Sequence, residues 1–116
     1  MSGVKIYHNP RCSKSRETLK LLQDKGIDPE IVLYLETPPS VTELSGLLKQ
    51  LALSPRELMR TKEAEYKELD LSDSELSDDQ LLVAMHNHPK LIERPIVVAN
   101  GQARIGRPPQ QVMDIL

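Results

Sequence analysis

Apolar positions along the 116-residue chain recur first with strand spacing, then with helical spacing, then with strand spacing again. Val4-Lys5-Ile6-Tyr7 alternates like a short strand. From Ser13 to Lys25, Leu19, Leu21 and Leu22 fall near one side of a helix, and Gly26 is a good stop. Pro29 then opens Glu30-Ile31-Val32-Leu33-Tyr34-Leu35, a nearly continuous apolar run of strand length with β-branched content. Strand, helix, strand predicts a βαβ unit and so a parallel pair.

The middle changes character. Thr37-Pro38-Pro39 breaks the chain, and Ser40 with Glu43 forms a capping box before Leu44, Leu47, Leu48 and Leu51. Ser54-Pro55-Arg56-Glu57 repeats the device with proline at the first helical position. Ser77-Asp78-Asp79-Gln80 repeats it before Leu81, Leu82 and Met85. Residues 40–88 therefore read as an all-helical insertion of three pieces, with an acidic loop from Leu69 to Ser77. Ile96-Val97-Val98-Ala99, Asn100-Gly101 and Gln102-Ala103-Arg104-Ile105 then spell a hairpin with a type I′ turn. Gly106-Arg107-Pro108-Pro109 leads into a closing helix carrying Val112, Met113, Ile115 and Leu116. The order β-α-β, helical insertion, β-β-α predicts one α/β domain over residues 1–116 with a thioredoxin-like (glutaredoxin-like) arrangement, an analogy that leaves function open.

Composition narrows the class. The length suits a single domain with its own core. Without Trp or Phe and with three Tyr, that core must be aliphatic. A net charge of −2 gives no electrostatic case for nucleic acid or a membrane surface, and no apolar run approaches a signal-peptide core or membrane span. A lone cysteine forms no internal disulfide, so the reducing cytoplasm is the expected compartment. Separately, a monomer is the expected state.

That cysteine is also the candidate nucleophile. Cys12 falls between the first strand and the first helix, where free backbone N–H groups favour negative charge. With Arg11, Lys14 and Arg16 nearby, it should ionise more readily than a free thiol of pKa about 8.5. Arg60, ending a short helix of the insertion, Arg94 before Pro95 and Arg107 before Pro108 are the candidate anion-binding residues. By analogy with the fold, a cis bond at Pro95 would hold the Arg94 backbone close to Cys12. His8 stands before the turn, placed to interact with the thiolate or shuttle a proton. His86 and His88 read as solvated, and no metal site is expected. A phosphatase loop needs Arg six positions after the cysteine, where Thr18 stands, and a dithiol site needs a second cysteine where Ser15 stands. Any adduct on Cys12 must be cleared by an outside thiol.

His8-Asn9-Pro10-Arg11-Cys12 with Ser15-Arg16, Tyr34-Leu35-Glu36-Thr37-Pro38-Pro39, Arg94-Pro95-Ile96-Val97-Val98 and Arg107-Pro108 resemble four blocks of the glutaredoxin-coupled arsenate reductases, over nearly the whole chain. The resemblance implies that Cys12 attacks arsenate as a thiolate and that Arg60, Arg94 and Arg107 bind the oxyanion. It further implies that glutathione, a co-substrate rather than a tightly bound cofactor, attacks the adduct, and that glutaredoxin reduces the resulting mixed disulfide. Ser13-Lys14 stand where well-known arsenic-resistance members have Gly-Thr, which bears on the physiological substrate. The rival readings are an Spx-type regulator of RNA polymerase, against which Ser15 speaks, and a glutathione-linked oxidoreductase with another oxyanion or thiol substrate. A monothiol glutaredoxin-like transferase lacks support, because its Cys-Gly-Phe-Ser loop is absent.

Overall fold

The two strands with the most buried residues take the middle of the sheet. In the computed structural model, which describes residues 3–116, Lys5–Tyr7 forms β1 and Ile96–Ala99 forms β3. These two pair antiparallel, with Ile6 opposite Val97 and both side chains fully buried. Glu30–Val32 (β2) lies parallel to β1 on one side, and Gln102–Ile105 (β4) lies antiparallel to β3 on the other. The order is β2-β1-β3-β4. The β3–β4 turn has Asn100 at φ 54° and Gly101 at φ 76°, the left-handed pair that a type I′ turn requires.

Ser13–Asp24 forms α1, the crossover between the two parallel strands. Its end is a Schellman motif: Ile27 N–H donates to Leu22 O at 3.0 Å and Gly26 N–H to Gln23 O at 2.9 Å, with Gly26 at φ 79°. Leu22 from this helix joins Val4, Ile6, Val97, Ala99, Val112 and Ile115 in one core. The closing helix is 3₁₀ over Pro109–Ile115. Three residues per turn stack Pro109, Val112 and Ile115 on one side, and all three are buried. Met113 and Leu116, expected on the apolar face of an α-helix, are exposed instead.

The second strand is shorter than its apolar run. His8 N–H donates to Val32 O at 2.8 Å, and beyond that point β1 has given way to the cysteine loop. With no strand left to pair with, the chain turns, and Glu36 and Thr37 N–H both donate to Leu33 O at 2.9 Å. Leu33 and Leu35 are left at the surface.

Packing divides the chain into two units: the described residues up to Thr37 together with Arg94–Leu116, and Pro38–Glu93. The second unit holds four α-helices, one more than the sequence pattern shows: Val41–Leu51 (α2), Pro55–Leu58 (α3), Ala64–Glu68 (α4) and Asp78–Asn87 (α5). The additional helix, α4, has no side-chain cap and no buried residue, so it carries neither signal in its sequence. Ser54 with Glu57 and Ser77 with Gln80 complete both halves of their capping boxes, and at Ser40 the serine oxygen accepts from Glu43 N–H. Arg56 ties down the acidic loop by donating to Leu71 O and, at 3.0 Å, to Asp73 O. His86 is not solvated: its Nδ1 lies 2.9 Å from Pro39 O. Among the described residues no helix is long and apolar enough to cross a membrane.

Gly106 sits where β4 meets α1. Its N–H donates to Pro95 O at 2.9 Å, and a Cβ there would overlap the Thr18 hydroxyl and come within 2.9 Å of Pro95 Cγ. Gly106→Ala should therefore lower unfolding stability by about 1–3 kcal/mol in urea denaturation, as overpacking of a filled site does. An unchanged midpoint would show that the contact yields at no cost.

Candidate active site

The loop between β1 and α1 is built by its own side chains. Asn9 is the organiser, a residue that the motif reading does not single out although an Asn-Pro pair is a turn signal. Its Oδ1 accepts from Arg11 N–H at 3.0 Å and its backbone carbonyl from Cys12 N–H at 3.0 Å. Asn9 N–H in turn donates to Ser15 Oγ at 3.0 Å, and His8 Nδ1 lies 2.6 Å from that same oxygen. Ser15 is fully buried. It thus links the strand end to the first turn of the helix from the position where a dithiol site would carry its second sulfur.

Cys12 becomes the N-cap residue of α1, in extended backbone at φ −95° and ψ 124°, with its carbonyl accepting from Arg16 N–H at 3.0 Å. The thiol is half-buried. Partial burial pushes its pKa up. Opposing that, the Ser15 N–H directed at the sulfur, a hydrogen bond from the Arg94 side chain and the charges of Arg94 and Arg107 pull it down, and the net shift is below the ordinary thiol value. Arg107 Nη2 donates to Cys12 Sγ at 3.4 Å, while Arg107 Nε donates to Arg94 O at 2.8 Å.

The cations that act on the thiol are therefore not its sequence neighbours. Lys14 is paired with Glu17 at 3.6 Å on the surface, and Arg16 Nη1 donates to Pro10 O at 2.9 Å. Arg16 acts on His8 instead. Burial first, and then the Arg16 charge, holds the His8 pKa below the ordinary imidazole value. A neutral ring suits a contact in which Nδ1 accepts a hydrogen bond from the Ser15 hydroxyl, leaving that oxygen to accept from Asn9 N–H. His8 is thus committed to Ser15 through Nδ1 rather than to the sulfur. The Arg94-Pro95 bond is cis, as expected, and so is Arg107-Pro108.

Arg60 belongs to the helical unit. It lies two residues beyond α3 rather than at its end, beside an antiparallel bridge between Met59 and Ile92. Arg60 Nε donates to Glu63 Oε2 at 3.3 Å and Nη1 to Glu93 Oε1 at 2.9 Å. The Glu63 pairing has the three-residue spacing that helical surfaces use, but nothing in the sequence pattern points to Glu93.

A four-stranded thioredoxin-like α/β fold with one arginine-held thiol at a helix N-cap is the class of protein these features define. Residues 7–115 match the model of the ArsC family, and the chain belongs to that family. It is 66% identical over 114 residues to the uncharacterised protein YfgD of Escherichia coli K-12, covering 97% of this chain and 96% of that one. It is 53% identical over 115 residues to an arsenate reductase of Haemophilus influenzae, covering 98% and 99% of the two chains. Among solved structures, an arsenate reductase from Vibrio cholerae superposes with a TM-score of 0.96 at 66% identity, over 97% of each chain.

The His8 shift has a sign. The folded pKa lies below the unfolded value of about 6.5, so the stability this group contributes is full above that pH and is lost as pH falls through the folded value. Between about pH 7 and pH 5 the urea midpoint of the wild type should fall more than that of His8→Gln, which does not titrate there. Parallel pH profiles would remove the buried neutral imidazole from the description.

Proposed function

We propose that the chain reduces arsenate to arsenite at Cys12, with glutathione and glutaredoxin as the source of electrons. The observation that carries the reading is the Arg107–Cys12 contact at 3.4 Å, with Arg94 also lowering the pKa of that thiol. Two guanidinium groups around one thiolate can both favour its ionised form and receive the oxygens of an anion. Family membership supplies the oxyanion, since relatives at half identity or more carry the name arsenate reductase.

The chemistry then follows in balanced steps. The Cys12 thiolate attacks arsenic(V), an S–As bond forms, and one arsenate oxygen leaves as water after taking up protons. Charge on the remaining oxygens is stabilised by Arg94 and Arg107. A glutathione thiolate next attacks Cys12 Sγ, forming an S–S bond. The S–As electron pair stays with arsenic, which departs as arsenite in the arsenic(III) state. Two sulfurs have been oxidised by one electron each and arsenic reduced by two. Glutaredoxin then removes glutathione from Cys12 by thiol–disulfide exchange, the outside thiol that a lone cysteine requires.

The supporting residues have separable roles. Ser15 sets the loop and aims its N–H at the sulfur, and His8 and Asn9 hold Ser15. Arg16 braces the loop through Pro10 O, and Pro95 follows the Arg94 carbonyl that orients Arg107. Lys14 adds surface charge in the first turn of the helix. Arg60 is the third oxyanion-binding arginine of the resemblance, and the Glu63 and Glu93 carboxylates compete with any anion for it.

Turnover with arsenate, glutathione and glutaredoxin should be abolished in Cys12→Ser. It should fall by at least about tenfold in kcat/KM in Arg94→Lys or Arg107→Lys, which keep charge but lose the fork. Equal inactivity of wild type and Cys12→Ser would overturn the arsenate assignment, and wild-type kinetics in both lysine variants would overturn the clamp.

A further inference from the structure

One concave feature beside the cysteine loop has no part in the oxyanion clamp. It is a groove of about 380 Å³, with His8, Asn9, Pro10 and Arg11 contributed by the loop and Leu33, Leu35 and Glu36 by the turn after β2. Arg11 is the immediate neighbour of Cys12, so the groove opens within one residue of the nucleophile. Its floor is apolar: Leu33 and Leu35 remain 36% and 38% exposed because the edge strand ends at Val32. Its rim carries one cation and one anion. Among the described residues neither the Arg11 guanidinium nor the Glu36 carboxylate forms an ion pair, although both are exposed.

We propose that this groove seats the small peptidic thiol that discharges Cys12, with Arg11 receiving one of its carboxylates and Glu36 its ammonium group. The proposal rests on the reading that Cys12 works through glutathione, and it adds the place where that thiol binds. The volume is on the scale of a small-ligand pocket, which runs from about 300 to 1,000 Å³. The charge pattern selects a zwitterion: a simple oxyanion would be repelled by Glu36, and an apolar thiol would leave both rim charges without partners. His8 adds no charge to the groove near neutral pH, since burial and Arg16 favour its neutral ring.

The test uses the reduced full chain and follows mixed-disulfide formation at Cys12 by intact mass, with glutathione disulfide and, separately, with uncharged hydroxyethyl disulfide. In both reactions the Cys12 thiolate attacks one sulfur, the new S–S bond replaces the old one, and the other half leaves as a thiolate. The ratio of the two rates cancels any change in the thiol itself. Arg11→Gln and Glu36→Gln should each lower that ratio by about two- to fivefold, the scale of one exposed ion pair. Glu30→Gln, which removes a carboxylate on the same edge strand outside the groove, should keep the wild-type ratio.

Glu36→Gln is the discriminating variant. Glutathione disulfide is a net anion, so bulk electrostatics alone would make loss of a carboxylate raise the rate, whereas recognition of the ammonium group makes it fall. An unchanged or raised ratio in Glu36→Gln overturns the proposal. The outcome separates from the arsenate reading. Charge-dependent selectivity without arsenate turnover keeps the groove and removes arsenate, while glutathione-driven arsenate turnover with unmoved ratios removes the groove.

Discussion

A thiol half removed from water stays ionised only where enough positive potential converges on it to offset the cost of burial. Here the Ser15 backbone N–H contributes most, followed by the Arg94 side chain and the charges of Arg94 and Arg107, two residues more than 80 positions away in the chain. Arg107 is the hinge of the arrangement: its Nε is spent on the Arg94 carbonyl at 2.8 Å, which fixes the plane of the guanidinium and delivers Nη2 to the sulfur at 3.4 Å. The β3–β4 hairpin brings the two arginines to one end of the sheet, because Arg94 lies just before its first strand and Arg107 just after its second. Gly106 permits that approach by leaving room for Thr18 and Pro95. Pairing of β3 with β1, the strand that feeds the cysteine loop, completes the convergence.

The parts of this arrangement that rest on local chemistry are legible in the amino-acid sequence alone. Asn100-Gly101 dictates its turn, Gly26 ends α1 in a left-handed conformation, and Ser54 and Ser77 cap their helices as their partners three residues on require. The positions of Cys12, Arg94 and Arg107 follow from strand ends. What the sequence pattern hides depends on distant neighbours. The run Glu30–Leu35 has strand character throughout, yet it pairs only to Val32 because β1 stops there. The α4 helix buries nothing and therefore leaves no periodic trace. Local charge is also misleading: Arg11, Lys14 and Arg16 surround Cys12 in sequence, but Lys14 and Arg16 are turned to Glu17 and Pro10 O. Of the two carboxylates on Arg60, Glu63 is three residues on and has a local signal, whereas Glu93 lies 33 residues away and has none.

The proposed mechanism separates two jobs that a lone catalytic cysteine must have done for it. In that mechanism, binding and charge stabilisation of an oxyanion fall to Arg94 and Arg107. Discharge of the adduct falls to the thiol proposed to sit in the apolar groove that borders the His8–Arg11 loop, which Asn9 and Ser15 hold. A chain with no second cysteine has reason to keep these apart, since the attacking thiol must reach the sulfur while the oxyanion is still bound.

Everything in this description turns on the protonation state of one atom. With a single cysteine in the chain, labelling cysteine at Cβ with carbon-13 gives one resonance whose shift reports thiol against thiolate without modifying the protein. Titrated across pH, that resonance should inflect clearly below the free-thiol value of about 8.5. An inflection at or above that value would contradict a thiolate held by Arg94 and Arg107.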